Sequence, residues 1–417
     1  MKNLYVGRQP ILDIDGVLDS YEVLYSQKEQ ANGDGSFIFA TILSDILNKI
    51  GTNIVLGRHK AFVQVDEEFL FSEKILTISN EFFILCLANE IEISEEVLKR
   101  LQELKAKEYT LALDNVALDV QSIQKYEKVL NEFSFIKINI HDGFVVSEDN
   151  KSIVSEIKEK DITIVGTSIV DKWKFELAKS LGCELFQGYF FSKAKVYQKE
   201  EYNPSRLNIL KLYSLLVENA SLDAITEEFK KNNSTAILLL QYINSGAFHF
   251  KNKISSMHHI LTLVGRDPLA KWLMLIIYSM SKLPNPKVSP LMLMVKNRTE
   301  LMESIVKSVV PDASKSTLDQ AYFVGVLSLI DILFGEKLET VLDEMNVYDI
   351  VRKALLEDSY ILGETYALVR DIEDFKPQAI ADFEKKYTLE DGTITEIVIK
   401  CMQEVTTFEK AVASIEG

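Results

Sequence analysis

A chain of 417 residues is too long for a single compact core and fits two domains. Hydrophobic residues at 47% and charged residues at 26% exclude a disordered chain and describe an ordinary globular one. A formal charge of −16 excludes broad binding to nucleic acid or to an anionic membrane, because both need a cationic face.

The N-terminal stretch from Met1 to Arg8 lacks the apolar core of a signal peptide. The most hydrophobic later run, Trp272 to Met280, is too short to span a bilayer and is flanked by Lys271 and Lys282, so a cytoplasmic location is expected. Up to about residue 192, short β-type runs alternate with helical ones. Gly33-Asp34-Gly35 reads as a plain loop, because no Lys-Ser/Thr follows to make it a phosphate cradle. A helix is expected after Ser94, which caps it and leaves Val97, Leu98, Leu101 and Leu104 on one face; Glu95-Glu96 suits the positive end of its dipole. Strands are expected at Tyr109–Leu113, Phe135–Ile140 and Ile162–Val165. This alternation implies parallel strands, hence an α/β barrel or an open doubly wound sheet.

Lys193 to Pro204 is polar and ends on Asn-Pro, which marks a linker and sets the expected domains at residues 1–195 and 196–417. Beyond it the strand signals nearly vanish. Helices are expected at 207–217, 222–229, 235–243, 268–281, 301–309 and 322–333, with Ser221 and Ser234 as starts and Gly246 as a stop. The stretch after Pro377 reads as further helix packed on, or extending, the second domain. Cys86, Cys183 and Cys401 are far apart and form no Cys-x-x-Cys pair, so buried reduced thiols are expected, with no zinc site or disulfide. The five histidines, His59, His141, His249, His258 and His259, have no ligand at metal-like spacing and read as surface residues.

Five segments of the first half, in order, carry a resemblance. They are Arg8-Gln9-Pro10-Ile11, Tyr21-Glu22-Val23-Leu24-Tyr25, Leu111-Ala112-Leu113-Asp114-Asn115, Ile136-Lys137-Ile138-Asn139 and Phe186-Gln187-Gly188-Tyr189-Phe190-Phe191. Together they resemble the EAL family of cyclic-di-GMP phosphodiesterases, and the resemblance implies a modified TIM-type barrel. It also implies a site at the C-terminal strand ends, where Mg²⁺ or Mn²⁺ would be held by carboxylates. Glu22, Asp114, Lys137 and Gln187 match that family's pattern. Other positions depart from it: Gln64, Asn89, Asn115, Asn139 and Thr167 stand where the family places ligands, Cys86 where it has an acidic neighbour, and Ser26 where it has a phosphate-binding arginine. Amides can coordinate through their carbonyls but bring no negative charge, so no functional metal site and no hydrolysis are expected. Arg8, Gln9 and Lys137 remain as possible ligand contacts, consistent with weak cyclic-di-GMP binding at most. Lys137 could equally form a structural ion pair with Asp114.

The second half resembles the HDOD family in three runs, 237–245, 261–265 and 323–329. That family is an all-helical relative of HD-type phosphohydrolases without their His-Asp metal pair. The pair would fall near Ser328 and Leu329. The expectation is an EAL-type α/β barrel followed by an all-α HDOD domain, acting without catalysis and without a cofactor through protein partners of the helical domain. Oligomers are allowed. The alternatives are a metal-dependent cyclic-di-GMP phosphodiesterase, needing Mg²⁺ or Mn²⁺, and a receptor that binds without cleaving.

Overall fold

Apolar residues recur at every second position in the strands and at every third or fourth position between them, and a wound β/α structure is the result. The structure is a computed structural model. It describes residues 4–27, 56–189, 220–230, 289–334, 337–344 and 347–415, with isolated positions at 209–216 and 265–273. Eight strands close into a barrel in sequence order: β1 (Leu4–Asp13), β2 (Leu18–Gln27), β3 (Lys60–Val65), β4 (Phe83–Leu87), β5 (Thr110–Leu113), β6 (Phe135–Asn139), β7 (Thr163–Thr167) and β8 (Leu185–Gln187). The expected strands and the barrel alternative are therefore present.

The parallel expectation holds for the ladders from β2 through β8 but not for β1, which runs antiparallel to both β2 and β8. The cause is local. Gly16 takes φ +74° in the turn after Asp13, and the Asp13 carboxylate accepts from the amides of Asp15 (3.0 Å) and Val17 (2.8 Å). A turn this tight can only return the chain antiparallel, since a parallel partner needs a long crossover.

Among the described residues the wound part contains α1 (Glu67–Phe71), α2 (Glu95–Ala106), α3 (Val120–Tyr126), α4 (Glu148–Lys158) and α5 (Lys172–Leu181). Ser94 caps α2 as expected, accepting from the Val97 amide at 3.1 Å. Val97, Leu101 and Leu104 are buried, while Leu98 at the edge of the stripe is only half-buried. Glu95 and Glu96 lie exposed in its first turn. Inside the barrel, Ile11, Phe62, Ile84, Cys86, Ala112, Val165 and Leu185 form a buried apolar layer.

The helical part contains α6 (Leu222–Lys230), α7 (Pro290–Val309), α8 (Lys315–Leu327), α9 (Ile330–Phe334), α10 (Leu338–Glu344), α11 (Asp349–Glu357), α12 (Tyr360–Glu373), α13 (Pro377–Lys386) and α14 (Thr393–Ile415). Ser221 starts α6 as expected, accepting from the Ala224 amide at 3.2 Å. The run expected as one helix over 322–333 is two, α8 and α9, separated by Ser328-Leu329. The hydroxyl of Ser328 folds back on the Gly325 carbonyl at 2.7 Å there. The Gly33-Asp34-Gly35 loop, the linker at 193–204, the helix expected at 235–243 with Ser234 and Gly246, nearly all of that expected at 268–281, two of the three HDOD-like runs (only Gly265 of the second is described), and His249, His258 and His259 lie outside the described residues.

By backbone proximity the chain forms two compact units: Met1–Val196 with Arg370–Thr406, and Tyr197–Val369 with Thr407–Gly417. The sequence rhythm sets one division near residue 195, whereas Arg370–Thr406 groups with the barrel. The contacts show why. The Phe375 ring lies so close over Gly7 of β1 that a Cβ there would meet it at 3.0 Å. Arg8 donates to Thr406 Oγ1 (3.4 Å) and to the Met402 carbonyl (3.5 Å). The hairpin leaves β1 and β2 without a connecting helix, and these residues cover β1 instead. Within that cover, the buried Glu384 accepts from the amides of Gly392 (3.1 Å) and Ile394 (3.0 Å) and so caps α14. Cys86, Cys183 and Cys401 are buried free thiols, as expected. Among the described residues no helix is long and apolar enough to cross a membrane.

After β8 the chain must close against the loop that follows β7. Gly188 adopts φ +142°, and a Cβ at that position would sit 2.1 Å from the Ile169 carbonyl oxygen. Both the φ and the clash exclude any side chain. Gly188→Ala is expected to cost about 2 kcal/mol or more, seen as a lower midpoint in chemical unfolding; an unchanged midpoint would contradict this closure.

Candidate functional site

Because successive strand residues point to opposite faces, Gln9, Glu22, Cys86, Asp114, Lys137 and Gln187 all project into the barrel. Register holds them near one level: Gln9 is opposite Glu22, and Glu22 is beside Phe62. The long side chain of Lys137 starts between inward Phe135 and Asn139 on β6 and ends among the carboxylates. Its Nζ donates to Glu22 Oε1 at 2.6 Å and lies 3.6 Å from Asp114 Oδ1. The ammonium also faces the Phe62 ring, 5.6 Å from its centre. Gln187 Nε2 donates to Glu22 Oε2 and, at 2.8 Å, to Gln9 Oε1. All five polar groups singled out in the sequence, Gln9, Glu22, Asp114, Lys137 and Gln187, thus form one connected network with Lys137 at its centre. The ion pair expected with Asp114 exists, but Glu22 is the closer partner. It reaches Lys137 from the opposite side of the barrel.

Burial and charge act in opposition here. Lys137 is 2% exposed, and burial alone would lower its pKa; Glu22, then Cys86 and Asp114, outweigh that and raise it above the usual lysine value. Burial pushes the Asp114 carboxyl above the ordinary carboxylate range; Lys137 pulls it back, and repulsion from Glu22 adds to the rise. Burial also drives the Cys86 thiol well up, so it behaves as a small apolar residue in the wall.

The remaining rim positions are neutral. Gln64 is exposed. Asn89 donates to the Asn115 carbonyl at 3.2 Å, and its own carbonyl accepts from Lys125 (2.7 Å) and Tyr126 (3.2 Å). Asn115 takes φ +47° where β5 ends, a conformation asparagine tolerates well. Thr167 bonds the Ile138 carbonyl at 3.3 Å. Asn139 Oδ1 and Gln187 Oε1 are buried without a hydrogen-bond partner among the described residues. Among the described residues no group of three or more His, Cys, Asp or Glu has the geometry to hold a metal ion. At the mouth the two carboxylates share an ammonium, and the amides and hydroxyl around them add no charge.

Arg8 is not part of this network. It lies on the other face of β1 from Gln9, with its guanidinium 4.4 Å from the centre of the Tyr21 ring and its donors on α14. His59, expected at the surface, is buried: its Nδ1 is 3.0 Å from the Asp19 carbonyl, and its ring meets Tyr21 edge-on. Sequence reasoning also missed Phe62 and Tyr21 as neighbours of the two cations; their alternation in β3 and β2 was the available signal. In the helical part, Ser328 and Leu329 are buried. Arg298 of α7 donates to the Ser328 carbonyl (3.1 Å) and hydroxyl (3.0 Å), so a fixed cation lies beside the pair.

No family model matches the chain. It is 22% identical over 376 residues to the uncharacterized protein YuxH of Bacillus subtilis, across 89% of this chain and 90% of that one. It is 23% identical over 383 residues to the cyclic di-GMP phosphodiesterase CdgJ of Vibrio cholerae, across 87% of this chain and 83% of that one. Among solved structures, the EAL domain of Xanthomonas citri FimX in complex with c-diGMP is similar at 14% identity and a TM-score of 0.37, over 45% of this chain and 85% of that one.

Removing one member of the network strands the others. Lys137→Ala is expected to cost about 3–5 kcal/mol in urea unfolding, because Glu22 then lies buried without its cation. Lys137→Met combined with Glu22→Gln is expected to recover most of that loss; equal loss in single and double variants would show that the pair is not coupled. The Asp114 carboxyl holds its proton to higher pH in the fold than in the unfolded chain, so stability falls as pH rises from the ordinary carboxylate value through the raised one. Asp114→Asn should flatten that part of the pH–stability curve. Lys137 has the opposite range: its contribution is complete below the usual lysine value and is lost as pH climbs past the raised one.

Proposed function

We propose that this protein is a non-catalytic regulator in cyclic-di-GMP signalling, with a degenerate EAL-type barrel joined by Arg370–Thr406 and an HDOD-type helical module built on the chain after residue 196 that engages protein partners in the cytoplasm. One observation carries the reading: the two carboxylates of the barrel mouth share the buried ammonium of Lys137. Cleaving a phosphodiester requires an activated water and neutralisation of developing charge on phosphate. Glu22 already serves Lys137, and Asn89, Asn115, Asn139 and Thr167 offer no anion to replace it. Arg8 faces α14, which supports weak ligand binding at most through Gln9 and Gln187. Arg298 beside Ser328 supports the same conclusion for the helical module, since a cation stands beside the place where an HD enzyme would need metal ligands.

The similarity to CdgJ favours a second reading, a phosphodiesterase that converts cyclic di-GMP to linear pGpG with Mg²⁺ or Mn²⁺. A third is a receptor that binds the nucleotide intact. Purified full-length protein incubated with Mn²⁺ or Mg²⁺ and cyclic di-GMP is expected to yield no linear product above a protein-free blank. Sustained turnover that disappears in Glu22→Gln would replace the regulator with the enzyme. Saturable heat at micromolar nucleotide without turnover, lost in Gln187→Ala, would replace it with the receptor.

A further inference from the structure

On the outer wall of the barrel, α3 and α4 leave an open groove of about 470 Å³ between them. Its floor is aliphatic: Leu130, Ile153 and Ile157 are buried and Ile123 is half-buried. Val120 stands 63% exposed at the lip. Three exposed carboxylates line the edges, Glu127 on the α3 side and Asp149 and Glu156 on α4. None of the three is in an ion pair among the described residues. The lining lysine, Lys160, donates to Asn131 Oδ1 at 3.4 Å. On α4, Asp149 and Glu156 are seven residues apart on one stripe and Ile153 and Ile157 are four apart on the adjoining one, so acidic edge and apolar floor run side by side along the groove.

We infer that this groove receives a basic amphipathic helix of a partner protein. The 11 residues of α4 span roughly 16 Å at about 1.5 Å per residue, which matches about three turns of a docked helix. Apolar side chains one turn apart would enter the Ile153–Ile157 floor, and lysines or arginines flanking them would meet carboxylates on both edges. A second copy of this chain is a poor occupant, because the same acidic edges and a net charge of −16 would face each other. The inference is independent of the chemistry at the mouth, since the groove is built from the outer faces of the helices and shares no residue with the Lys137 network.

The test uses the full-length protein and three labelled 14-residue peptides in fluorescence anisotropy. The first places Leu and Lys at helical period, the second replaces every Lys by Glu, and the third scrambles the Leu/Lys order so that no apolar face forms. Saturable binding is expected for the first alone, weakened at least tenfold by the exposed-site double variant Glu127→Lys/Glu156→Lys and by Val120→Asp. Reversing Glu95 and Glu96 on α2 is expected to leave it unchanged. Equal binding of the scrambled peptide, or equal loss from the α2 reversal, would overturn the inference and indicate attraction to overall charge. A concentration-dependent dimer abolished by the Glu127/Glu156 reversal would overturn it in favour of self-association.

Discussion

Among the described residues the barrel interior contains one full positive charge, that of Lys137, and its neutralisation organises the mouth. An ammonium moved from water into such a place is tolerated only when carboxylates and further hydrogen bonds replace its hydration. Lys137 obtains this from Glu22 at 2.6 Å and Asp114 at 3.6 Å, with Gln187 holding Glu22 from the other side and Gln9 holding Gln187. Each of these five residues is thereby hydrogen-bonded or ion-paired to a neighbour.

The reversed first strand has consequences of its own. A hairpin places β1 next to both β2 and β8 and supplies no helix to cover it. The cover comes from far along the chain, through Phe375 over Gly7 and through Met402 and Thr406 at Arg8. Arg8 is thereby turned outward, stacked on Tyr21, while its neighbour Gln9 turns inward. One strand thus contributes to both the network at the mouth and the attachment of the C-terminal helices, with alternate residues assigned to each.

Overall similarity and site chemistry report different things about this chain. The barrel depends on a hydrophobic pattern spread over many positions, whereas metal-assisted chemistry depends on a handful of charges at strand ends. Relatives at 22% and 23% identity can share the first and differ in the second. The reading of the mouth therefore rests on what Glu22, Asp114 and Lys137 do in this fold. The acidic groove between α3 and α4 follows from neither motif nor resemblance; it exists because two helices present aliphatic and acidic stripes side by side.

Much of the architecture was legible in the residues themselves. Alternation marked β5, β6 and β7, Ser94 and Ser221 marked helix starts, and the resemblance singled out Gln9, Glu22, Asp114, Lys137 and Gln187. Periodicity reports which face a side chain occupies, and capping reports where a helix begins, because both act within a few residues of chain. Neither reports which strands become neighbours. The Lys137–Glu22 bond joins positions 115 residues apart and exists only once the barrel has closed. The burial of His59, the outward turn of Arg8, the direction of β1 and the attachment of Arg370–Thr406 were likewise decided by closure and covering. Their energies depend on groups that the chain brings together only in three dimensions.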